Sequence, residues 1–281
     1  MSDDIFNQIS NIIAKKGVSG VSKDAAEWSA FLSETEKKTI QEPQIATKIP
    51  ENVAVRNDVA TSPIQNKPAF EPPKFTPQQQ VQQPTQPQPA QRITASNLEE
   101  LRQMLSGCAR CQLANTRNNI VFGEGNPHAE LMFIGEAPGA DEDMQGRPFV
   151  GKAGQLLDKM ITAMQFSRAE VYIANILKCR PPFNRNPEPC EAACCVPYLD
   201  EQIRLVNPKC IVLLGAVATK FLLEYNGPVG KIRGTWQSYK NIPVMITYHP
   251  SFLLRTESAK RDSWNDLQKV MAKFGKYHKK G

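Results

Sequence analysis

The chain has 281 residues, with 34 Lys+Arg against 28 Asp+Glu, three His and seven Cys. That length allows one domain with an appendage, or two small domains. The Met-Ser-Asp-Asp start has no apolar signal core and no run approaches a membrane span, so a secreted or membrane-embedded protein is not expected. The expected setting is the cytoplasm, where clustered Cys bind metal or act in redox chemistry more often than they pair.

Residues 1–95 carry 10 basic and 10 acidic residues and no Cys. Ile5 to Lys16 has helical apolar spacing through Ile5, Ile9, Ile12 and Ile13, and Ala25 to Thr39 offers a second short helix with Trp28 and Phe31. Residues 1–40 therefore read as a short helical arm, either docked weakly or not at all, or bound to a protein partner. Residues 41–95, Gln- and Pro-rich from Glu71 to Gln91, read as a disordered or polyproline linker. Residues 96–281 hold 24 basic against 18 acidic residues and all seven Cys. A basic domain of this size can build a real core and suits a polyanionic partner. Ser258 to Gly281 alone carries seven Lys/Arg and two Asp, a solvated helical face or a DNA-facing patch.

Order is expected from Ser96, where Ser96-Asn97-Leu98-Glu99 reads as a capping box for a helix ending near Gly107. Four short apolar runs without alternation read as strands buried on both faces: Leu131–Gly135, Val171–Ile176, Cys210–Gly215 and Val244–Tyr248. Helical stretches separate them at Gly154–Met164, Pro189–Val206 and Ala216–Tyr225, with a last one from Glu257 to about Lys276. This rhythm predicts an α/β fold, three layers α/β/α around a central four-stranded parallel sheet, preceded by a largely disordered N-terminal arm.

Four motifs stand at or just past the ends of those strands, the edge where open parallel sheets bind ligands. Gly135-Glu136-Ala137-Pro138-Gly139 lets backbone approach a ligand closely and leads into Asp141-Glu142-Asp143. Gly146-Arg147-Pro148-Phe149-Val150-Gly151 adds an aromatic ring. With Lys152 it fits a phosphate-binding G-x-x-x-x-G-K loop, but Ala153 stands where Mg²⁺ binding needs Ser or Thr, and no strand immediately precedes it. Asn175 ends the second strand; its amide presents donor and acceptor together, the complement of uracil's O4 and N3–H and the reverse of cytosine's edge. His249-Pro250-Ser251-Phe252-Leu253-Leu254-Arg255 supplies an imidazole, apolar wedges and a cation. An acid, a ring, an amide and an imidazole converging on one pocket can hold a nucleobase and break its bond to sugar.

Cys108-Ala109-Arg110-Cys111 is a C-x-x-C pair at a helix end. Completing a four-thiolate site needs two of Cys179, Cys190, Cys194, Cys195 and Cys210; Cys210, opening a strand, reads as a buried small hydrophobe. One local knuckle with distant partners favours an iron–sulfur cluster over zinc.

These blocks together resemble the family-4, iron–sulfur uracil-DNA glycosylases, from about Leu98 to Phe274. The resemblance implies a uracil site lined by Gly135, Glu136 and Ala137, with Phe149 stacking on the base, Asn175 reading its edge, and His249 at the O2 side. It implies a structural [4Fe-4S] cluster on Cys108, Cys111, Cys179 and Cys195. Ala137 stands where another uracil glycosylase family has a water-positioning Asp, which leaves Glu136 and Glu142 as the candidate catalytic carboxylates beside His249. The implied reaction is hydrolysis of the N-glycosidic bond of deoxyuridine in DNA, single- or double-stranded, by a monomer that leaves an abasic site. Leu253, Leu254 and Arg255 are the expected DNA contacts. The alternative is a non-catalytic iron–sulfur DNA-binding or polymerase-associated protein, against which the intact set Glu142, Phe149, Asn175 and His249 argues.

Overall fold

The four apolar runs become the middle of one sheet, and what covers them is decided by the alternation of their side chains. The computed structural model describes residues 93–276. The helical arm expected over 1–40, and the linker up to residue 92, lie outside the described residues. In chain order the elements are α1 (Leu98–Ser106), β1 (Glu124–Gly125), β2 (Leu131–Gly135), α2 (Ala140–Gln145), α3 (Lys152–Ala163), β3 (Tyr172–Asn175) and α4 (Pro189–Val206). They continue with β4 (Cys210–Leu214), α5 (Gly215–Leu223), α6 (Val229–Ile232), β5 (Trp236–Tyr239), β6 (Ile242–Thr247), α7 (Pro250–Arg255) and α8 (Lys260–Lys273). No helix among the described residues is long and apolar enough to cross a membrane.

The sheet order is β1-β3-β2-β4-β6-β5. The expected four-stranded parallel sheet is its centre, β3-β2-β4-β6. Each edge carries one more strand, antiparallel and not foreseen: β1 on β3 and β5 on β6. The sheet is thus six-stranded and mixed. Neither edge strand has a buried apolar run to announce it; β1 is two residues long, and β5 is largely exposed.

Successive strand residues point to opposite faces. Phe133, Ile173, Val212 and Met245 join Leu157, Ile161, Leu267 and Val270 of α3 and α8 in one core. Ile134, Ala174, Leu213 and Ile246 join Leu199 and Ile203 of α4 and Ala218 of α5 in the other. Every buried central strand therefore serves two cores, which is why alternation is missing from its sequence.

The first described helix starts one residue later than Ser96 predicts. Asn97 is the N-cap, its Oδ1 accepting the Glu100 N–H at 2.9 Å, and Glu100 reaches back to the Ser96 N–H. Ile93 and Ala95, placed in the linker by composition, are buried with Leu101, Leu105 and Tyr198. Ala95 also bonds through its N–H to Glu201 and through its carbonyl to Arg204. The packed region therefore includes Ile93.

Candidate active site

Gly135 and Asn175 close β2 and β3 as register partners, side by side at the C-terminal edge of the sheet. A cavity of about 540 Å³ opens there, bordered by Glu136, Ala137, Glu142, Phe149, Asn175 and His249. Any side chain at Gly135 would crowd the pocket: a Cβ there would stand 2.4 Å from Phe149 Cζ and 2.5 Å from Asn175 Oδ1. Asn175 is 2% exposed, and its Oδ1 is the one buried side-chain oxygen or nitrogen without a hydrogen-bond partner among the described residues. An acceptor buried in this way costs free energy unless something donates to it. A second, larger concavity of about 650 Å³ lies at the opposite edge, where Glu130 and Lys209 precede β2 and β4. It gathers none of the motif residues.

Phe149 sits beside this acceptor with a left-handed backbone, φ 52°, uncommon for a bulky side chain. Three supports hold that strained loop. Glu142 Oε1 accepts the N–H groups of Val150 and Gly151, both at 2.9 Å, and Oε2 accepts that of Gly139 at 3.1 Å. Arg168 donates to the carbonyl of Pro148, to Glu124 and to Asp158. Gly154, in the first turn of α3, lets the helix press against the backbone of Phe149, where a Cβ would meet the Phe149 carbonyl at 2.0 Å. The ring that results is 5% exposed, its centroid 5.7 Å from that of His249.

His249 is the N-cap of α7, and its Nδ1 accepts the N–H of Ser251 at 3.1 Å; Ser251 Oγ lies 2.8 Å from the same nitrogen. Burial, reinforced by Arg255, pushes the imidazole pKa down to about 4. The ring is neutral at pH 7. Since an amide N–H can only donate, Nδ1 is the acceptor and the ring proton sits on Nε2.

The two candidate carboxylates differ. Glu142 has both oxygens occupied by backbone amides, so it builds the pocket wall. Glu136 borders the cavity and burial raises its pKa above the ordinary carboxylate value. Among the expected DNA contacts, Arg255 borders the cavity and Leu254 is exposed. Leu253 does not qualify. It is fully buried in the core between α7 and the sheet, because the first turns of α7 turn it inward while its neighbour faces out.

The thiols converge from three places in the chain. Cys108 and Cys111 follow α1, Cys179 follows β3, and Cys195 lies in the second turn of α4. Burial raises the Cys111 pKa to about 11, and the neighbouring Cys179, Cys194 and Cys108 add to the rise. Cys195 is pushed to about 12 by burial, with Cys179 and Cys111 contributing. Arg117 Nη1 stands 3.3 Å from Cys179 Sγ. Cys194 instead turns to the Arg110 carbonyl at 3.1 Å, Cys190 is exposed, and Cys210 is buried at the head of β4. Among the described residues no three Cys, His, Asp or Glu side chains are posed around a single point as a cage for one ion. The thiols of Cys108, Cys111 and Cys179 are near one another, as are those of Cys111, Cys179 and Cys195.

Lys178 joins thiols and cavity. It is fully buried, and its Nζ donates to the Asn175 carbonyl at 2.8 Å and to Gln202 Oε1 at 2.6 Å, with burial lowering its pKa to about 7. Lys178, Arg168 and Ser251 were not legible as site residues. The first and last lie inside motifs and carried a signal of position only; Arg168 had none.

Comparison with known proteins places the chain in a family. The profile of the Uracil DNA glycosylase superfamily matches residues 122–268. A Type-4 uracil-DNA glycosylase of Sulfurisphaera tokodaii is 43% identical over 183 residues, 62% of this chain and 83% of that protein. One of Thermotoga maritima is 42% identical over 181 residues, 62% of this chain and 90% of that protein. The chain belongs to the type-4 uracil-DNA glycosylases. A Type-5 uracil-DNA glycosylase of Pyrobaculum aerophilum is also similar, but at 31% identity over 180 residues. In this type-4 chain the match spans both the strand-end motifs and, in the relatives above, most of the partner protein, so the cavity belongs to the shared domain.

Proposed function

We propose that this uracil-DNA glycosylase draws one deoxyuridine out of DNA into the cavity at Gly135 and Asn175 and hydrolyses its N-glycosidic bond. The observation that carries the reading is the orphaned Oδ1 of Asn175, buried beside Gly135 and Phe149. Uracil's N3–H donates to that oxygen while Asn175 Nδ2 donates to O4; cytosine, with an acceptor at N3 and a donor at N4, faces like against like. Phe149 stacks on the base, and Gly135 and Ala137 allow the backbone to approach it.

Breaking the C1′–N1 bond sends its electron pair to N1, and the charge spreads to O2. The Nε2–H of neutral His249 donates there, a fixed donor aimed at charge that develops only in the transition state. Glu136 orients water at C1′, whose oxygen forms the new bond while its proton passes to the carboxylate. A Glu pKa raised by burial suits that role. Glu142 acts through the loop it holds. Arg255 and the exposed Leu254 meet the DNA, and Lys/Arg of the domain hold phosphates.

Cys108, Cys111, Cys179 and Cys195 fit a [4Fe-4S] cluster by donor type and by their mutual proximity. When bound it supplies a cross-link rather than electron transfer, tying the end of α1 to the segment between β3 and α4.

An oligonucleotide with a single uracil, treated with the protein and then with alkali, tests the reading. Cleavage at uracil is expected, with Asn175→Ala losing it by orders of magnitude while DNA affinity, mostly phosphate-driven, falls little. Near-wild-type cleavage by Asn175→Ala would remove the basis of the pocket assignment.

A further inference from the structure

The segment between β3 and α4 carries the most exposed large apolar side chain among the described residues: Phe183, 99% exposed. It is also held there against its own backbone preference. Phe183 and Asn184 both adopt left-handed φ, 55° and 56°. Such geometry persists only where the surroundings enforce it.

The enforcement is visible. Pro181 and Pro182 precede the turn, and the carbonyls of both accept the N–H groups of Asn184 and Arg185, each at 3.1 Å. Arg180 Nε donates to Asn184 Oδ1 at 2.8 Å. Arg185 grips Glu191 with both nitrogens, at 2.9 and 2.6 Å. Pro181, Asn184, Arg185 and Asn186 all border the uracil cavity, so the ring stands on its rim. Arg180 and Arg185 lie on the same segment, Arg185 paired with Glu188 and Glu191, and Arg255 borders the same cavity.

A bare aromatic face at the mouth of this cavity matches a nucleic acid with stacking bases, and among the described residues nothing covers it. We propose that Phe183 is a DNA-stacking residue: its ring takes the face of a base neighbouring the expelled deoxyuridine. This rests on the reading of the cavity as a uracil site and adds a second point of contact, apart from α7. Drawing the nucleotide out costs its stacking on its neighbours, and Phe183 replaces one of those lost faces.

The test uses the full chain and a uracil-containing single strand. Phe183→Ala is expected to weaken binding roughly 5- to 150-fold, the range for losing one base–aromatic stack. Phe183→Tyr should restore affinity and Phe183→Leu should not, since the face rather than the apolarity is what binds. Phe183→Trp should add fluorescence that DNA quenches beyond the wild-type change. Because the side chain touches no core, thermal unfolding should be the same in all four variants. Wild-type affinity in Phe183→Ala, equal rescue by Leu, or an unquenched added tryptophan would each overturn the assignment. So would a change of oligomeric state in Phe183→Ala with DNA affinity intact, which would give the ring to a second copy of the chain. Failure of the wild-type protein to release uracil at all would strike the function reading instead.

Discussion

The Nδ1 of His249 accepts the backbone N–H of Ser251 at 3.1 Å, and this one bond decides which ring nitrogen carries the proton. Backbone geometry thereby fixes the tautomer, and burial fixes the charge, with the pKa down at about 4.

Two pH profiles follow. With DNA binding saturated, excision should show no His249 break as pH falls through the ordinary His range. The first acid loss should come from protonation of Glu136, whose pKa burial raises, and the His249 loss only near pH 4. Stability should move differently. Below pH 6.5 the unfolded chain takes up a proton that the native ring refuses until about pH 4. Acidification across that window therefore costs on the order of 3 kcal/mol from this group. His249→Gln should flatten that part of the denaturation profile, and His249→Ala should slow single-turnover excision by roughly 10²–10³. A break in excision at pH 6.5 that disappears in His249→Ala would contradict the neutral assignment.

Gly135→Ala should abolish uracil excision while the protein still folds. Its methyl would press on the Phe149 ring and on Asn175 Oδ1, at 2.4 and 2.5 Å before relaxation. Overpacking of this kind costs about 1–3 kcal/mol, which a domain survives and a base pocket does not. Urea unfolding beside single-turnover cleavage separates the two effects.

Arg168→Lys should behave almost like Arg168→Met. The guanidinium serves Pro148, Glu124 and Asp158 at once, and an ammonium cannot span that fork. We expect about 1–3 kcal/mol lost from the half-buried network. KM for uracil-DNA should rise as well, because Phe149 loses one of its three supports. Unchanged kinetics in a destabilised Arg168→Met would limit this residue to a stabilising role.

The purified protein should be brown and carry about four irons per chain, as cubane ligation by four thiolates implies. Serine at Cys108, Cys111, Cys179 or Cys195 should bleach and destabilise it; serine at Cys190, Cys194 or Cys210 should leave the iron in place. Stoichiometric zinc without iron after anaerobic purification would refute the cluster.

What the sequence by itself determined were the features written in neighbouring residues. The four central strands were legible because a strand covered on both faces must be apolar throughout, and α4 was found from Pro189 to Val206 because proline at the first turn and Asn207 after the last one punctuate it. Gly135, Phe149, Asn175 and His249 were legible because each occupies a short motif whose backbone needs are local. Tertiary structure decided whatever depends on the sheet order β3-β2-β4-β6. That order sets Asn175 beside Gly135 and brings His249 to within ring contact of Phe149. The same folding ties up Glu142 with three amides, since a carboxylate at the mouth of a strained loop finds backbone N–H groups before it finds water. It buries Leu253 and exposes Leu254, a choice made by the helix's rotation against the core. It also recruits Arg168 from 20 residues beyond Pro148. The edge strands were silent because hydrogen bonds to a neighbour, not apolar pattern, define them. No run of residues records its own distance to another, so residues that border the cavity could be named from the sequence and their supports could not.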